Sequence, residues 1–131
     1  MKLTRPLKAK ALPPPLEAVE QESFVKWFET QFPRVLIYAI PNGAFLFGDP
    51  ERRAKQMAAL KRQGLRPGIP DLCVPEWDLY IELKRTKGGT LTPAQLVMHG
   101  HLVMAGYVVL VCAGADAARV AVMAFAKERA A

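Results

Sequence analysis

The sequence contains few of the residues that build disulfide frameworks or zinc sites. Its 131 residues include only two cysteines, Cys73 and Cys112. Each lies inside an apolar run, which is typical of a small buried side chain in a reducing compartment. Two isolated cysteines also lack the spacing of zinc ligands. We therefore expect neither a disulfide framework nor a structural zinc ion.

The sequence also lacks an apolar stretch of about 20 residues, the length that crosses a bilayer. Residues 1–6 do not contain the apolar core of a secretory signal, and no internal repeat is visible. These absences predict a soluble, intracellular, cytoplasmic protein without a membrane partner.

What the sequence does contain is enough apolar material for one domain, together with an excess of positive charge. Hydrophobic residues make up 51% of the chain, and the formal net charge is +6, which favours attraction to a polyanion. Residues 1–15 include four basic side chains and end in Pro13-Pro14-Pro15, a composition typical of an extended tail. We predict a basic, proline-rich tail over residues 1–15 and a folded domain over residues 16–131.

Helix and strand signals alternate through that domain. Helical periodicity and helix ends mark residues 16–32, 50–63, 93–105 and 115–129. Asp49-Pro50 supplies an N-cap for the second helix, and Thr92 with Gln95 forms a capping box for the third. Four β-prone runs lie at residues 35–40, 71–75, 78–84 and 107–112. The order predicts an α/β fold with a mixed sheet of about four strands and helices on both faces.

Two of these runs differ in character from the others. Residues 107–112 are continuously apolar, which favours a strand buried on both faces. Residues 71–84 read as a hairpin, and a two-residue turn at Glu76 and Trp77 would leave Trp77 exposed at the tip.

The register of this hairpin determines which polar side chains meet. With that turn, Asp71 lies opposite Glu82, with Cα atoms roughly 4.5–5.5 Å apart. Because side chains alternate along a strand, Lys84 lies on the same face as Glu82. Two carboxylates this close repel each other unless positive charge lies between them. The pattern therefore indicates a cation site, provided that the turn has this length.

Oxygen ligands without cysteine or clustered histidine favour Mg²⁺ or Mn²⁺ over zinc. A divalent cation beside a lysine is the combination that phosphodiester hydrolysis requires. We expect Asp71 and Glu82 to bind the metal and Lys84 to position and acidify the attacking water. The alternative interpretation is a salt-bridge cluster on an exposed strand face.

A group of basic residues follows the first predicted strand. Their spacing allows a shared face on or beside the second helix, which indicates either contacts with DNA phosphates or an ordinary solvated surface. The residues are Arg52, Lys55, Arg62 and Arg66.

Pro70-Asp71 followed by Glu82-Leu83-Lys84 resembles the PD-(D/E)XK nuclease signature, and the flanking residues are similar to those of the virus-type replication-repair nuclease (VRR-NUC) family. The similarity covers roughly residues 16–125, including Glu17 with Gln21 and Pro41-Asn42-Gly43. The other matching segments are Gly64-Leu65-Arg66-Pro67-Gly68-Ile69-Pro70-Asp71-Leu72, Tyr80-Ile81-Glu82-Leu83-Lys84, Leu91-Thr92-Pro93-Ala94-Gln95 and Gly106-Tyr107.

The resemblance implies a restriction-endonuclease-like core and a Mg²⁺- or Mn²⁺-dependent endonuclease of phage or bacterial replication and repair. It also implies a homodimer that acts on branched DNA such as Holliday junctions. By the same resemblance, Asp71, Glu82, Glu17 and the backbone carbonyl of Leu83 are metal ligands, with Lys84 and Gln95 as catalytic residues. Glu20 is the rival of Glu17 as the acid of the first helix.

Two other functions agree with the same residues. One is a DNA-binding or assembly module that keeps the nuclease fold without catalysis, and the other is a nuclease that acts on RNA. The two histidines, His99 and His101, are two positions apart on a helix and so do not share a face. A shared metal site or catalytic pair is therefore not expected, and we assign the two histidines no role.

Overall fold

A computed structural model of the chain describes residues 16–41 and 46–131. The predicted tail and the Asn42-Gly43 turn lie outside the described residues. The helices are α1 (Glu17–Gln31), α2 (Pro50–Arg62), α3 (Pro93–Met104) and α4 (Ala115–Ala130), and the strands are β1 (Tyr38–Ala39), β2 (Leu72–Val74), β3 (Leu79–Lys84) and β4 (Val108–Ala113).

The strands form one mixed sheet in the order β1-β2-β3-β4. Strand β2 pairs antiparallel with β1 and β3, whereas β3 and β4 are parallel. The chain connects β3 to β4 through α3, as a parallel connection requires. The predicted α/β fold with a four-stranded mixed sheet and flanking helices is confirmed.

The hydrophobic core lies between the sheet and the helices α1 and α4, which also pack against each other. It is formed by apolar side chains of α1, β2, β3 and α4, among them Phe24, Phe28, Leu72, Leu79, Ile81, Leu83, Ala118 and Val122. Because side chains alternate along β3, Glu82 and Lys84 point away from this core. Helix α3 lies on that opposite side, where Gln95 contacts Glu82.

The predicted helix starts are confirmed in atomic detail. The side chain of Asp49 accepts a hydrogen bond from the backbone N–H of Arg52 at 2.9 Å, and Pro50 follows at the first helical position. Both halves of the capping box between Thr92 and Gln95 are formed. These caps satisfy backbone N–H groups that have no partner inside their helices.

The predicted hairpin register is confirmed, although its turn differs. Leu72 pairs with Ile81, and Val74 pairs with Leu79. The connection is a 3₁₀ turn, Pro75–Trp77, followed by Asp78 in the left-handed conformation at φ 49°. This turn is centred on the same residues as a two-residue turn, and so the opposition of the strands does not change.

The prediction that Trp77 is exposed is wrong. Its ring packs in edge-to-face geometry against Phe28 and Phe32, with centroid distances of 5.4 and 4.9 Å. Phe125 of α4 lies beside it, and the guanidinium of Arg129 lies over the ring. The 3₁₀ turn folds the hairpin tip toward α1 and α4, and there the indole extends the core.

Two of the predicted strands differ from expectation. Strand β1 pairs over Tyr38 and Ala39 alone, so most of the β-prone run at residues 35–40 is not in the ladder. The prediction that residues 107–112 are buried on both faces is wrong, because Val108 and Val111 are exposed. Strand β4 lies at the edge of the sheet, and among the described strands it is hydrogen-bonded to β3 alone.

Cys73 and Cys112 are both buried and unbonded to each other, which confirms the prediction of core thiols. Among the described residues, no helix is both long enough and apolar enough to cross a membrane.

The aromatic side chains packed around Trp77 indicate where a substitution should destabilise the fold most. Phe28 is fully buried, so we expect Phe28→Ala to lower the free energy of unfolding by roughly 3–5 kcal/mol. Val120 on α4 is 73% exposed, and Val120→Ala should change it by less than about 0.5 kcal/mol. Urea denaturation of both variants measures the difference. Equal effects would contradict this assignment of the core.

Candidate active site

Asp71 and Glu82 lie at the same level of the sheet on neighbouring segments. Asp71 immediately precedes β2, and continuing the β2–β3 register by one pair places it opposite Glu82. The carboxylate of Asp71 also reaches across to β3, where Oδ2 accepts the backbone N–H of Leu83 at 2.8 Å. Glu82 is 2% exposed and Asp71 is half-buried. The two carboxylates therefore share one largely water-excluded pocket.

Lys84 belongs to the same pocket. Its Nζ lies 3.5 Å from Oε1 of Glu82, and its side chain is only 12% exposed. The two residues are two positions apart on β3, which gives them the same face. The structure thus brings together Asp71, Glu82 and Lys84, the three residues that the sequence placed on one face.

The pocket disfavours the charged forms of its two acids, Asp71 and Glu82. Burial raises the pKa of Glu82 to about 7, with a further contribution from the charge of Asp71, while Lys84 offsets part of this rise. Burial likewise raises the pKa of Asp71, whereas the hydrogen bond from Leu83 opposes the rise. A cation placed between the two carboxylates would relieve this repulsion.

Helix α3 holds one oxygen of Glu82 in place. The Gln95 side-chain amide donates to Oε1 at 2.7 Å, and its own Oε1 accepts the backbone N–H of Thr92 at 2.9 Å. The same side chain therefore completes the capping box and contacts the pocket, so that the capping role and the proposed active-site role coexist.

The loop before Asp71 lies very close to the start of α3. Gly68 has φ +83°, and a Cβ at this position would lie 2.3 Å from the backbone oxygen of Ala94. Only glycine permits this approach without displacing the first turn of α3. The contact links the segment that carries Asp71 to the helix that carries Gln95.

His99 is a site residue that sequence reasoning missed. It is 7% exposed, and its Nε2 lies 4.0 Å from Oε2 of Glu82. Burial, together with the charge of Lys84, lowers its pKa. His101 is exposed, so the two histidines indeed face different sides. The available signal was the four-residue spacing from Gln95, which places His99 on the same helical face as Gln95.

The two acids of α1 have different surroundings. The carboxylate of Glu20 accepts the backbone N–H of Ala115 at 2.7 Å, so it caps the start of α4. Glu17 instead lines a groove of about 910 Å³ that also reaches Asp71, and its charge contributes to the raised pKa of Asp71. The geometry thus places Glu17, rather than Glu20, toward the carboxylate pair.

The donor atoms fit a hard divalent cation with few protein ligands. Oε2 of Glu82 is buried and has no hydrogen-bond partner among the described residues, and the charge of Asp71 acts on the same carboxylate. Among residues 16–41 and 46–131, no group of three or more His, Cys, Asp or Glu side chains is arranged to hold a metal. Mg²⁺ is commonly bound through one or two carboxylates and several waters, so the pair is compatible with it.

The basic residues singled out in the sequence lie outside this pocket. Arg52, Lys55 and Arg62 are exposed on α2, which has no buried residue. Arg66 lies in the loop after α2, and its guanidinium donates to the carbonyl oxygens of Lys61 and Leu65, both at 3.2 Å.

The raised pKa of Glu82 predicts a pH-dependent stability. The folded state holds the proton more tightly than the unfolded chain, so stability present below pH 4.5 is lost as the pH rises through about 7. We expect Glu82 to contribute a fall on the order of 3 kcal/mol across this window to the free energy of unfolding, measured by urea denaturation with a chelator. The lowered pKa of His99 contributes in the opposite direction. Glu82→Gln should remove most of the fall, and the shift of Asp71 should leave a smaller one. Parallel curves for the two proteins would contradict the assignment.

Comparison with known proteins identifies a similar fold. No model of a known protein family matches the chain, and no curated protein matches it. A solved structure described as a "VRR_NUC domain protein" is similar, with a TM-score of 0.63 and 26% sequence identity over 88% of this chain and 92% of that one. The likeness points to a nuclease. The chain has a VRR-NUC-like fold, as the resemblance in its sequence implied.

Proposed function

We propose that this protein is a Mg²⁺- or Mn²⁺-dependent endonuclease that hydrolyses phosphodiester bonds in DNA. The observation that carries the proposal is the shared pocket of Asp71, Glu82 and Lys84 on a VRR-NUC-like fold. The catalytic domain would comprise residues 16–131, with residues 1–15 as a basic tail.

Asp71 and Glu82 would hold the cation through their carboxylates. When bound, the cation would polarise a phosphoryl oxygen and lower the pKa of a coordinated water. Lys84 is a positive, poorly hydrated group at the same site, so its ammonium orients the attacking water and stabilises the negative charge that develops on the phosphate. Gln95 keeps Oε1 of Glu82 fixed through its amide hydrogen bond.

The backbone carbonyl of Leu83 is the further ligand that we propose. In a strand, the N–H and C=O of one residue face the same neighbour, and the N–H of Leu83 points to Asp71. The register continues to Pro70 opposite Leu83, and proline has no N–H to donate to that carbonyl. The oxygen would then lie on the side of Asp71, without a ladder donor from Pro70.

DNA would contact the exposed positive charges beyond the pocket. We propose phosphate contacts for Arg52, Lys55 and Arg62 on α2, and for Arg66 in the loop that follows. A basic side chain that forms only weak ion pairs within the protein can exchange them for a DNA phosphate. Lys55 is an example, because its ion pair with Glu51, at 3.6 Å, is solvent-exposed.

A second candidate function is a DNA-binding or assembly module that lacks catalysis. The observation that favours it is the small number of acids at the site, since no group of three potential ligands is formed within the described residues. Such a module would bind DNA equally well with and without divalent cations.

Replacement of the pocket residues separates these functions. Asp71→Asn, Glu82→Gln and Lys84→Met should each lower the cleavage rate by roughly 10³-fold or more, because each removes charge that the transition state requires. DNA binding, measured by fluorescence anisotropy, should largely remain. Lys87→Met, at an exposed loop lysine, is the matched control and should cleave normally. Undiminished cleavage by the Asp71→Asn protein would rule out the assigned chemistry.

The same assay distinguishes the two acids of α1. Glu17→Gln should raise the Mg²⁺ concentration that half-maximal cleavage requires, because Glu17 is the acid directed toward Asp71. Glu20→Gln should instead lower thermal stability with little effect on metal dependence, because its carboxylate caps α4. The reverse pattern would assign the ligand to Glu20.

The finer substrate assignment is branched DNA, such as a Holliday junction, in bacterial or phage replication and repair. A cleavage panel over duplex, single-stranded, flap and four-way-junction DNA, with a matched RNA junction, tests it. We expect the four-way DNA junction to be cut fastest in Mg²⁺ or Mn²⁺. Faster cleavage of the RNA junction would favour a ribonuclease instead.

We also propose a homodimer, as the resemblance implies. Apolar side chains on α3 and β4 support it, because Leu96, Val97, Met104 and Val111 are exposed. Light scattering at several protein concentrations should give a mass near twice 14.5 kDa. A monomer at all concentrations would contradict the proposal.

A further inference from the structure

Two buried polar atoms without partners face each other at the edge of the proposed metal site. Within the part of the chain that the structure describes, Oε2 of Glu82 and Nε2 of His99 both lack a hydrogen-bond partner, and they are 4.0 Å apart. An unpaired buried donor or acceptor is destabilising, so native proteins rarely retain one without a reason. That two such atoms are adjacent indicates that they form a pair in the working protein.

Helix α3 presents two groups to the two oxygens of one carboxylate. Gln95 donates to Oε1 of Glu82 at 2.7 Å, and His99 lies one helical turn further along, facing Oε2. The N-terminal turn of α3 is fixed by its capping box with Thr92 and by the close approach of Gly68. A rigid helix therefore supplies both groups.

We propose that His99 is a positioning residue for Glu82, in which the Nε2–H of a neutral imidazole donates to Oε2 and holds the carboxylate in the orientation that binds the cation. The inference rests on the proposed function, since it concerns the same metal site. An approach of about 1 Å brings the two atoms from 4.0 Å to hydrogen-bond distance.

The acceptor capacity of Glu82 agrees with this role. A carboxylate offers about four lone-pair directions. Gln95 and Lys84 both lie on Oε1, and His99 would take one direction of Oε2. The remaining direction of Oε2 is then free for a cation. Hydrogen bonds from outside the coordination shell commonly orient metal-binding carboxylates in this way.

The tautomer of His99 tests the contact without any metal. In a chain labelled with ¹⁵N-histidine and kept in a chelator, the ¹⁵N chemical shifts should show a neutral ring with its hydrogen on Nε2. The exposed His101 is the internal reference. A neutral ring protonated on Nδ1 would overturn the proposal, because its Nε2 would face Oε2 as a second acceptor or bind the metal directly.

Metal affinity tests the consequence. His99→Leu removes the donor at similar volume, and we expect calorimetry to show Mn²⁺ binding weakened roughly 10- to 100-fold. His99→Gln, whose amide nitrogen can occupy the position of Nε2, should restore affinity to within a few-fold of the unmodified chain. His101→Leu is the matched control. A melting curve in the chelator should show that His99→Leu is folded.

Other results would contradict the inference in distinct ways. Equal Mn²⁺ affinity of His99→Leu and the unmodified chain would overturn it, and so would a His99→Gln protein as weak as His99→Leu, which would indicate packing alone. If the unmodified chain takes up no Mn²⁺, the proposed function fails, and the tautomer then decides separately whether the contact of His99 with Glu82 exists.

Discussion

The juxtaposition of Asp71 and Glu82 is the constraint on which the rest of the site depends. Burial raises the pKa of both carboxylates, and the charge of Asp71 adds to the rise at Glu82, whose pKa reaches about 7. A protein gains no stability from such an arrangement. It persists because the register of β2 and β3 is fixed by the core side chains Leu72, Leu79 and Ile81, which are all fully buried, and a shift by one residue would expose them.

The neighbouring loop and helices hold Asp71 and Glu82 in position. Gly68 brings the loop before Asp71 against the first turn of α3, and the capping box of α3 aims Gln95 at Glu82. On the other side of the sheet, Glu20 joins α1 to the start of α4. Polar contacts of this kind fix the distance between the helices and the strands that bear the acids. The site is therefore a property of the whole α/β domain rather than of one loop.

Much of this arrangement was predictable because its causes are local. Caps at Asp49 and Thr92 are signalled by residue types three or fewer positions apart, and the alternation of side chains places Lys84 beside Glu82. The register was predictable because the turn is centred on Glu76 and Trp77 whatever its exact conformation. By contrast, the exposure of β4 depends on its place at the sheet edge, which no short pattern encodes.

The features that were missed depend on contacts between distant segments. Trp77 is partly buried because the hairpin tip meets α1 and α4, a tertiary contact that its position at a turn conceals. The spacing of His99 from His101 carries no signal, whereas its spacing from Gln95 places it on the helix face that is directed toward Glu82 on β3. The sequence does not distinguish Glu17 from Glu20, because the hydrogen bond from Ala115 to Glu20 joins segments that are far apart in the chain.

The most direct test of the central claim is a crystal structure of the unmodified protein with Mn²⁺, using anomalous scattering to locate the ion. The account predicts one peak between the carboxylates of Asp71 and Glu82, at about 2.2 Å from a carboxylate oxygen of each, as hard divalent ions require. A peak elsewhere, or none at this pair in crystals that were grown at saturating Mn²⁺, would contradict it.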